Sequence, residues 1–179
     1  SIDTVALLGV TLGAGATIRV RISTSAAGST AGNLHDVTYS ASDAQFSPSY
    51  GMFVLALAAP VSGRYVRLDI TDAAASYVEA GRLFIGRREA FTYNFASGAG
   101  IRWEDRSRKA KSAGGQTLIF SDNKYRVAEL NLAFVTKAQR WGLVESIDRI
   151  NGQSVDVLLI LDTAADDLAK VTIFGLISA

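Results

Sequence analysis

"GRYVRLDITD", residues 63 to 72, alternates Val66, Leu68 and Ile70 with Tyr65, Arg67 and Asp69. A period of two is the signature of a strand with one face in a core and the other in water. "ATIRVRIST", residues 16 to 24, repeats the device with Ile18, Val20 and Ile22 against Thr17, Arg19 and Arg21, which places both arginines in solvent. Shortly after the first stretch comes "YVEAGRLFIGRRE", residues 77 to 89, a further strand that runs into a turn glycine and a charge cluster.

Two other stretches in this half do not alternate. "DTVALLGV", residues 3 to 10, and "FVLALAAP", residues 53 to 60, are continuous apolar runs too short for helices, as expected of strands buried on both faces inside a sandwich. Between the strands lie "STSAAGSTAGNLHD", residues 23 to 36, and "SASDAQFSPSYG", residues 40 to 51. Their Ser, Ala, Gly and Asp content, with turns expected at Gly28, Gly32 and Pro48, reads as long loops. Loops at the rim of a sandwich are where binding residues sit, so any ligand site is expected there, with Tyr39, Phe46, Tyr50 and, from the second half, Trp103 as the available rings.

The composition shifts at "GRREAF", and a boundary is expected at about residue 88. Beyond it, "GQTLIFS" reads as a strand, and "YRVAELNLAFV", residues 125 to 135, as a half-buried strand with Ala128, Leu130, Leu132 and Phe134 inward. A helix near 137 to 150 is expected from "TKAQRWGLVESIDRING". Thr136 and Gln139 stand at capping-box spacing, Leu143, Val144, Ile147 and Ile150 make a core stripe, and Asn151-Gly152 closes the end. "SVDVLLILD" and "KVTIFGLIS" are two more strands, joined by a turn, "TAADDLA".

The chain has 179 residues, 49% hydrophobic and 20% charged, which is the composition of an ordered globular protein. With 18 basic and 17 acidic residues the formal charge is +1, so no global field draws it to nucleic acid or an anionic membrane. There is no cysteine, which removes disulfides and thiolate metal sites and fits folding in a reducing cytosol. The longest apolar run, "MFVLALAAPV", is about half the roughly 20 residues of a membrane span, and no basic-then-apolar leader opens the chain.

Chemistry is sparse. His35 is the only imidazole; its neighbour Asp36 points the other way along an extended segment, and no serine stands in a nucleophile elbow, so the chain is not expected to be an enzyme. "SDNK", residues 121 to 124, overlays two signatures of penicillin-recognising serine enzymes within four residues, where three side chains cannot converge, and reads as a turn. "GAGAT", residues 13 to 17, lacks the further glycines of a phosphate loop and reads as a hairpin connection. The pairs Glu104-Asp105 and Asp166-Asp167 lack the flanking ligands of a calcium site and read as solvated turns. No metal and no cofactor is expected. The one local charge excess is "RWEDRSRKAKSAGG", residues 102 to 115, in which Arg102, Arg106, Arg108, Lys109 and Lys111 oppose Glu104 and Asp105. With a single ring, Trp103, it is poor in the stacking partners of nucleic-acid sites, and it reads as a loop, solvated or docked on a neighbouring subunit.

"DTVALLGVTLGAGATIRVRIS", "GRYVRLDITD" and "YVEAGRLFIGRREAFTYNF", in that order, resemble a family of tailed-bacteriophage minor tail or baseplate proteins. Their N-terminal half is similar to a discoidin or galactose-binding-like jelly roll, and "WEDRSRKAKSAGGQ" through "VTIFGLIS" is similar to their remainder. The resemblance implies a mainly β chain: a jelly-roll sandwich over residues 1 to 88, N-terminally incomplete because such proteins carry residues before this first strand, and a second β-rich unit over 89 to 179 bearing one helix. It implies a structural component of the virion tail, made in the bacterial cytoplasm and assembled as several copies with other tail or baseplate proteins. Arg102, Arg106, Arg108, Lys109 and Lys111 are then the candidate interface. The alternative is a carbohydrate-binding module for host-surface attachment, with Tyr39, Phe46, Tyr50 and Trp103 at its rim. Neither reading involves nucleic acid or membrane insertion.

Overall fold

The computed structural model describes residues 1–26, 33–93, 95–96 and 98–177, and it is mainly β. The turns expected at Gly28 and Gly32 lie outside the described residues. The chain divides into two compact units: Ser1–Glu89 together with Leu158–Thr172, and Ala90–Val157 together with Ile173–Ala179. The segment Leu158–Thr172 thus returns to the first unit, an arrangement that a single boundary near residue 88 does not contain.

In the first unit, β1 (Ile2–Leu8), β4 (Phe46–Ser47), β5 (Met52–Val61) and β7 (Arg82–Gly86) form a sheet in the order β4-β5-β1-β7. A second sheet has the order β3-β2-β6, from β2 (Thr17–Ser23), β3 (His35–Ser40) and β6 (Tyr65–Thr71). Every pairing in both sheets is antiparallel, with Val5 opposite Leu55 and Ile85 in one and Ile18 opposite Tyr39 and Ile70 in the other. Val5, Leu7, Phe53 and Leu55 of the first sheet and Ile18, Val20 and Ile22 of the second meet in one core. The alternation of β2 and β6 is therefore a core face, as the sequence predicts.

Two stacked sheets cover only one face of each, yet Ala6, Leu8, Met52 and Val54 on the opposite face of β1 and β5 are buried too. On β5 the returning segment supplies part of the cover. Its short helix α3 (Leu168–Val171) packs against β4 and β5, buries Leu168 and Ala169, and is tied down where the Leu168 N–H donates to the Ala44 carbonyl at 2.9 Å. The Asp167 carboxylate caps it, accepting from the Ala169 N–H at 3.1 Å. The "TAADDLA" turn of the sequence thus holds the start of a helix.

Three expectations are corrected in this unit. Arg21 is not in water: its side chain is 7% exposed and ion-paired with Asp69, which also accepts from Arg67 at 2.8 Å. Arg19, by contrast, is partly exposed and forks onto Asp36 at 2.7 and 2.8 Å. "GAGAT" is no hairpin connection, because β1 and β2 lie in different sheets and the segment crosses between them. Residues 40 to 51 are not all loop, since β4 and a 3-10 turn at Pro48–Tyr50 interrupt them. Gly51 closes that turn at φ 58°, where a side chain is disfavoured and a Cβ would come within 3.0 Å of the Val10 carbonyl oxygen.

The second unit begins with β8 (Gly100–Asp105), β9 (Arg108–Lys111), β10 (Thr117–Phe120) and β11 (Lys124–Glu129). The segment 102 to 115, expected as a loop, is mostly strand. β8 pairs with β11 and β9 with β10, both antiparallel. "YRVAELNLAFV" remains a strand only to Glu129; beyond it Leu132 and Phe134 are 36% and 71% exposed and not core.

The helix predicted over 137 to 150 is present as α1 (Lys137–Gln139), a π turn at Arg140–Val144 and α2 (Glu145–Ile150). The Thr136 hydroxyl accepts from the Gln139 N–H at 3.2 Å, and the Gly152 N–H returns to the Asp148 carbonyl at 3.1 Å. Leu143, Val144 and Ile147 are half-buried, but Ile150 is 66% exposed. Ile150 is the last residue of α2, next to the Asn151 cap, where the helix ends and the stripe runs out. Strands β12 (Val157–Ile160) and β13 (Thr172–Gly175) complete the chain.

Candidate functional site

The two ladders of the second unit are successive lengths of one antiparallel hairpin, here called the arm. In the near ladder Gly100 faces Glu129 and Asp105 faces Lys124; in the far ladder Arg108 faces Phe120 and Lys111 faces Thr117. Between them Ser121, Asp122 and Asn123 on one side oppose Arg106 and Ser107 on the other. One extra residue on one side offsets the register as a bulge does, and the offset is bridged where the Ser107 hydroxyl accepts from the Asp122 N–H at 3.1 Å. "SDNK" is therefore the inner joint of the arm.

The turn at the tip is built from Ser112 to Gln116. The Ser112 carbonyl accepts from the Gly115 N–H at 2.9 Å, and its hydroxyl accepts from the Gln116 N–H at 3.1 Å. Gly115 sits at φ 81°, the left-handed position that lets a three-residue loop rejoin its ladder.

Charge divides the arm into two parts. Near its base the charged groups are occupied within the chain. Arg102 reaches Glu104 at 2.8 Å and also pairs with Glu129, which holds its guanidinium pKa above the ordinary value, Glu129 contributing most. The Tyr125 hydroxyl donates to Glu104 at 2.5 Å, and this bond, followed by that from Arg102, depresses the Glu104 carboxyl. Ser107 depresses Asp105, which also faces Lys124 at 3.7 Å. Arg126 lies over the Trp103 ring at 5.9 Å and Arg106 over Tyr125 at 5.1 Å.

Toward the tip the pattern changes. All four residues of β9, Arg108, Lys109, Ala110 and Lys111, are exposed, and so are all four of β10. Leu118 is 48%, Ile119 61% and Phe120 59% exposed. One strand is thus basic and the other apolar on both faces. Of the five predicted interface residues, Arg102 is spent inside the chain, Arg106 is stacked on Tyr125, and Arg108, Lys109 and Lys111 are presented together. The sequence reading omitted Leu118, Ile119 and Phe120. The signal was "TLIF", a run without alternation, whose partner strand is too charged to be recognised as one.

The rings proposed as a ligand rim do not make one. Tyr39 and Phe46 are core residues, 8% and 2% exposed, because β3 and β4 turn them inward. Tyr50 is half-buried in the 3-10 turn, and Trp103 stands exposed on β8 of the second unit. His35 opens β3; its Nε2 is 3.2 Å from the Tyr39 hydroxyl, and burial lowers its pKa while Asp36, committed to Arg19, opposes that shift. Asp72, in a shallow pocket with Val10, Leu12, Gly13 and Pro48, accepts from the Gly13 N–H at 2.7 Å and the Ala74 N–H at 3.0 Å, which depress its carboxyl. Its acceptors thus serve to close the loop. Among the described residues no group of three or more His, Cys, Asp or Glu side chains is placed to hold a metal ion.

The chain matches no family model, no curated protein and no solved structure.

Proposed function

We propose that the protein is a structural component of a bacteriophage tail or baseplate, present in several copies in the virion after synthesis in the host cytoplasm. Its first unit is the jelly-roll sandwich and its arm carries contacts to neighbouring tail proteins. The observation that carries this reading is the outer arm. A two-stranded hairpin is marginal in water unless a further strand or a packed face joins it; among the described residues no strand joins β9 and β10, and Leu118, Ile119 and Phe120 are exposed. That composition has a physical use only when another surface covers it. Carbohydrate attachment, the second reading, loses support from the burial of Tyr39 and Phe46.

The test replaces Arg106, Arg108, Lys109 and Lys111 by Ala together in the phage that encodes the chain. Charge-assisted contacts contribute on the order of 1.5 to 3 kcal/mol each across an interface, whereas exposed substitutions change folding stability by about 0.5 kcal/mol or less apiece. The variant is expected to keep its melting temperature within a few degrees and to be lost from assembled tails. Normal incorporation overturns the proposal.

A further inference from the structure

The arm has two edges of opposite character. β9 is guarded by Arg108, Lys109 and Lys111, the residues that keep an outer edge from recruiting further strands. β10 has Leu118, Ile119 and Phe120, and among the described residues its outer edge pairs with no strand. A strand apolar on both faces is the pattern of an interior strand. Here it stands at the margin of a two-stranded sheet.

We propose that β10 is completed by β10 of a second copy of this chain, antiparallel about a two-fold axis at Ile119, making a four-stranded sheet in the order β9-β10-β10-β9. This rests on the assembly reading above and names one of its partners. The geometry is self-complementary. With Ile119 opposite Ile119 of the second copy, Leu118 lies opposite Phe120 of that copy; this face also carries both Ala110 side chains, the ladder partners of Leu118, and is flanked by both Arg108 side chains, the ladder partners of Phe120. The basic strands become the two outer edges, which stops growth at four strands and closes the contact as an isologous dimer. Three strand spacings of about 4.8 Å separate them, beyond the Debye length of about 8 Å at physiological salt.

An acidic neighbour in the tail can take β9, as the assembly reading has it, but it leaves the apolar edge of β10 uncovered. Insertion into a lipid surface would carry the polar turn Ser112 to Gln116 in ahead of the apolar residues and strand its backbone groups. The patch is also small. Six apolar side chains bury well under the roughly 1,200 Å² of a standard interface, so the pairing is reversible at micromolar protein and becomes stable only as one contact among several.

The absence of native cysteine makes the test direct. Ile119→Cys, oxidised at micromolar protein, is expected to give a disulfide-linked dimer at least ten-fold more abundantly than Lys109→Cys, its exposed neighbour across the ladder. Raising salt from 20 to 500 mM is expected to increase the yield, because like charges on the two outer edges are then screened. In the cysteine-free chain, Leu118→Lys with Phe120→Lys is expected to abolish the concentration-dependent rise in sedimentation-average mass. Equal cross-linking at positions 119 and 109, or a native chain that stays at monomer mass up to 1 mM, overturns the pairing. So does binding of monomeric protein to vesicles of phosphatidylserine and phosphatidylcholine through the arm. If position 119 fails to cross-link while the four-alanine variant is still lost from tails, the pairing falls and the assembly function stands. If it cross-links while that variant assembles normally, the function falls and the pairing stands.

Discussion

Arg21 shows how a polar side chain on the outer face of a sheet becomes part of its structure. Strand periodicity puts it opposite Ile18, Val20 and Ile22, and that assignment of faces is correct. Periodicity carries no information on what lies over the outer face, and Asp69 makes Arg21 a buried partner. Burial acts to raise the Asp69 carboxyl, but the hydrogen bonds from Arg21 and Arg67 outweigh it and hold its pKa below the ordinary value. A carboxylate depressed in the folded state contributes stability above its unfolded pKa of about 3.9 and loses it as the pH falls through the lower folded value. Asp69→Asn is therefore expected to cost about 2 to 3 kcal/mol at pH 7, read as a fall in the urea midpoint, and to flatten the loss of stability below about pH 4. An unchanged midpoint would mean that the pair is only superficial. His35→Ala, by contrast, removes one bond to Tyr39 and is expected to cost about 1 kcal/mol. Tyr39 and Phe46 were misplaced for a related reason: Ser, Gly and Asp neighbours make a segment read as loop, and neither ring reveals that a short strand turns it inward.

Among the elements, those whose periodicity is reinforced by local chemistry were legible. The helix near 137 to 150 is the clearest case, since its stripe and its Thr136 cap agree. Thr136→Ala is expected to lower stability by about 1 kcal/mol, seen in a chemical-denaturation curve, and Thr136→Ser to restore most of it. What the stripe could not show is the π turn at Arg140–Val144, which has no sequence signature, or the exposure of Ile150 at the helix end. The arm was hidden differently. β9 is exposed at every residue, β8 alternates only over Ile101 to Glu104, and the arginines and lysines around them imitate a solvated loop. Only the ladder to β10 and β11 makes them strands, and that pairing is a fact about two segments together.

At the scale of the molecule, the apolar runs of β1 and β5 announced burial on both faces, while part of the second cover over β5 lay far along the chain, in Leu158–Thr172. Sequence adjacency cannot supply such a contact. Leu168→Ala, at a side chain 2% exposed against β4 and β5, is expected to cost about 2 to 5 kcal/mol, so that the first unit unfolds at markedly lower denaturant even though the change is remote in sequence. The central claim concerns the arm of the second unit, proposed to be left unfinished in the single chain and completed by assembly. Amide hydrogen exchange across Arg108–Lys111 and Thr117–Phe120, compared between the free chain and the chain within isolated tails, tests it most directly. The account predicts rapid exchange in the dilute free chain, where a lone hairpin opens readily and, among the described residues, one side of β10 pairs with no strand, and strong protection in the tail. Equal exchange in both states would contradict it.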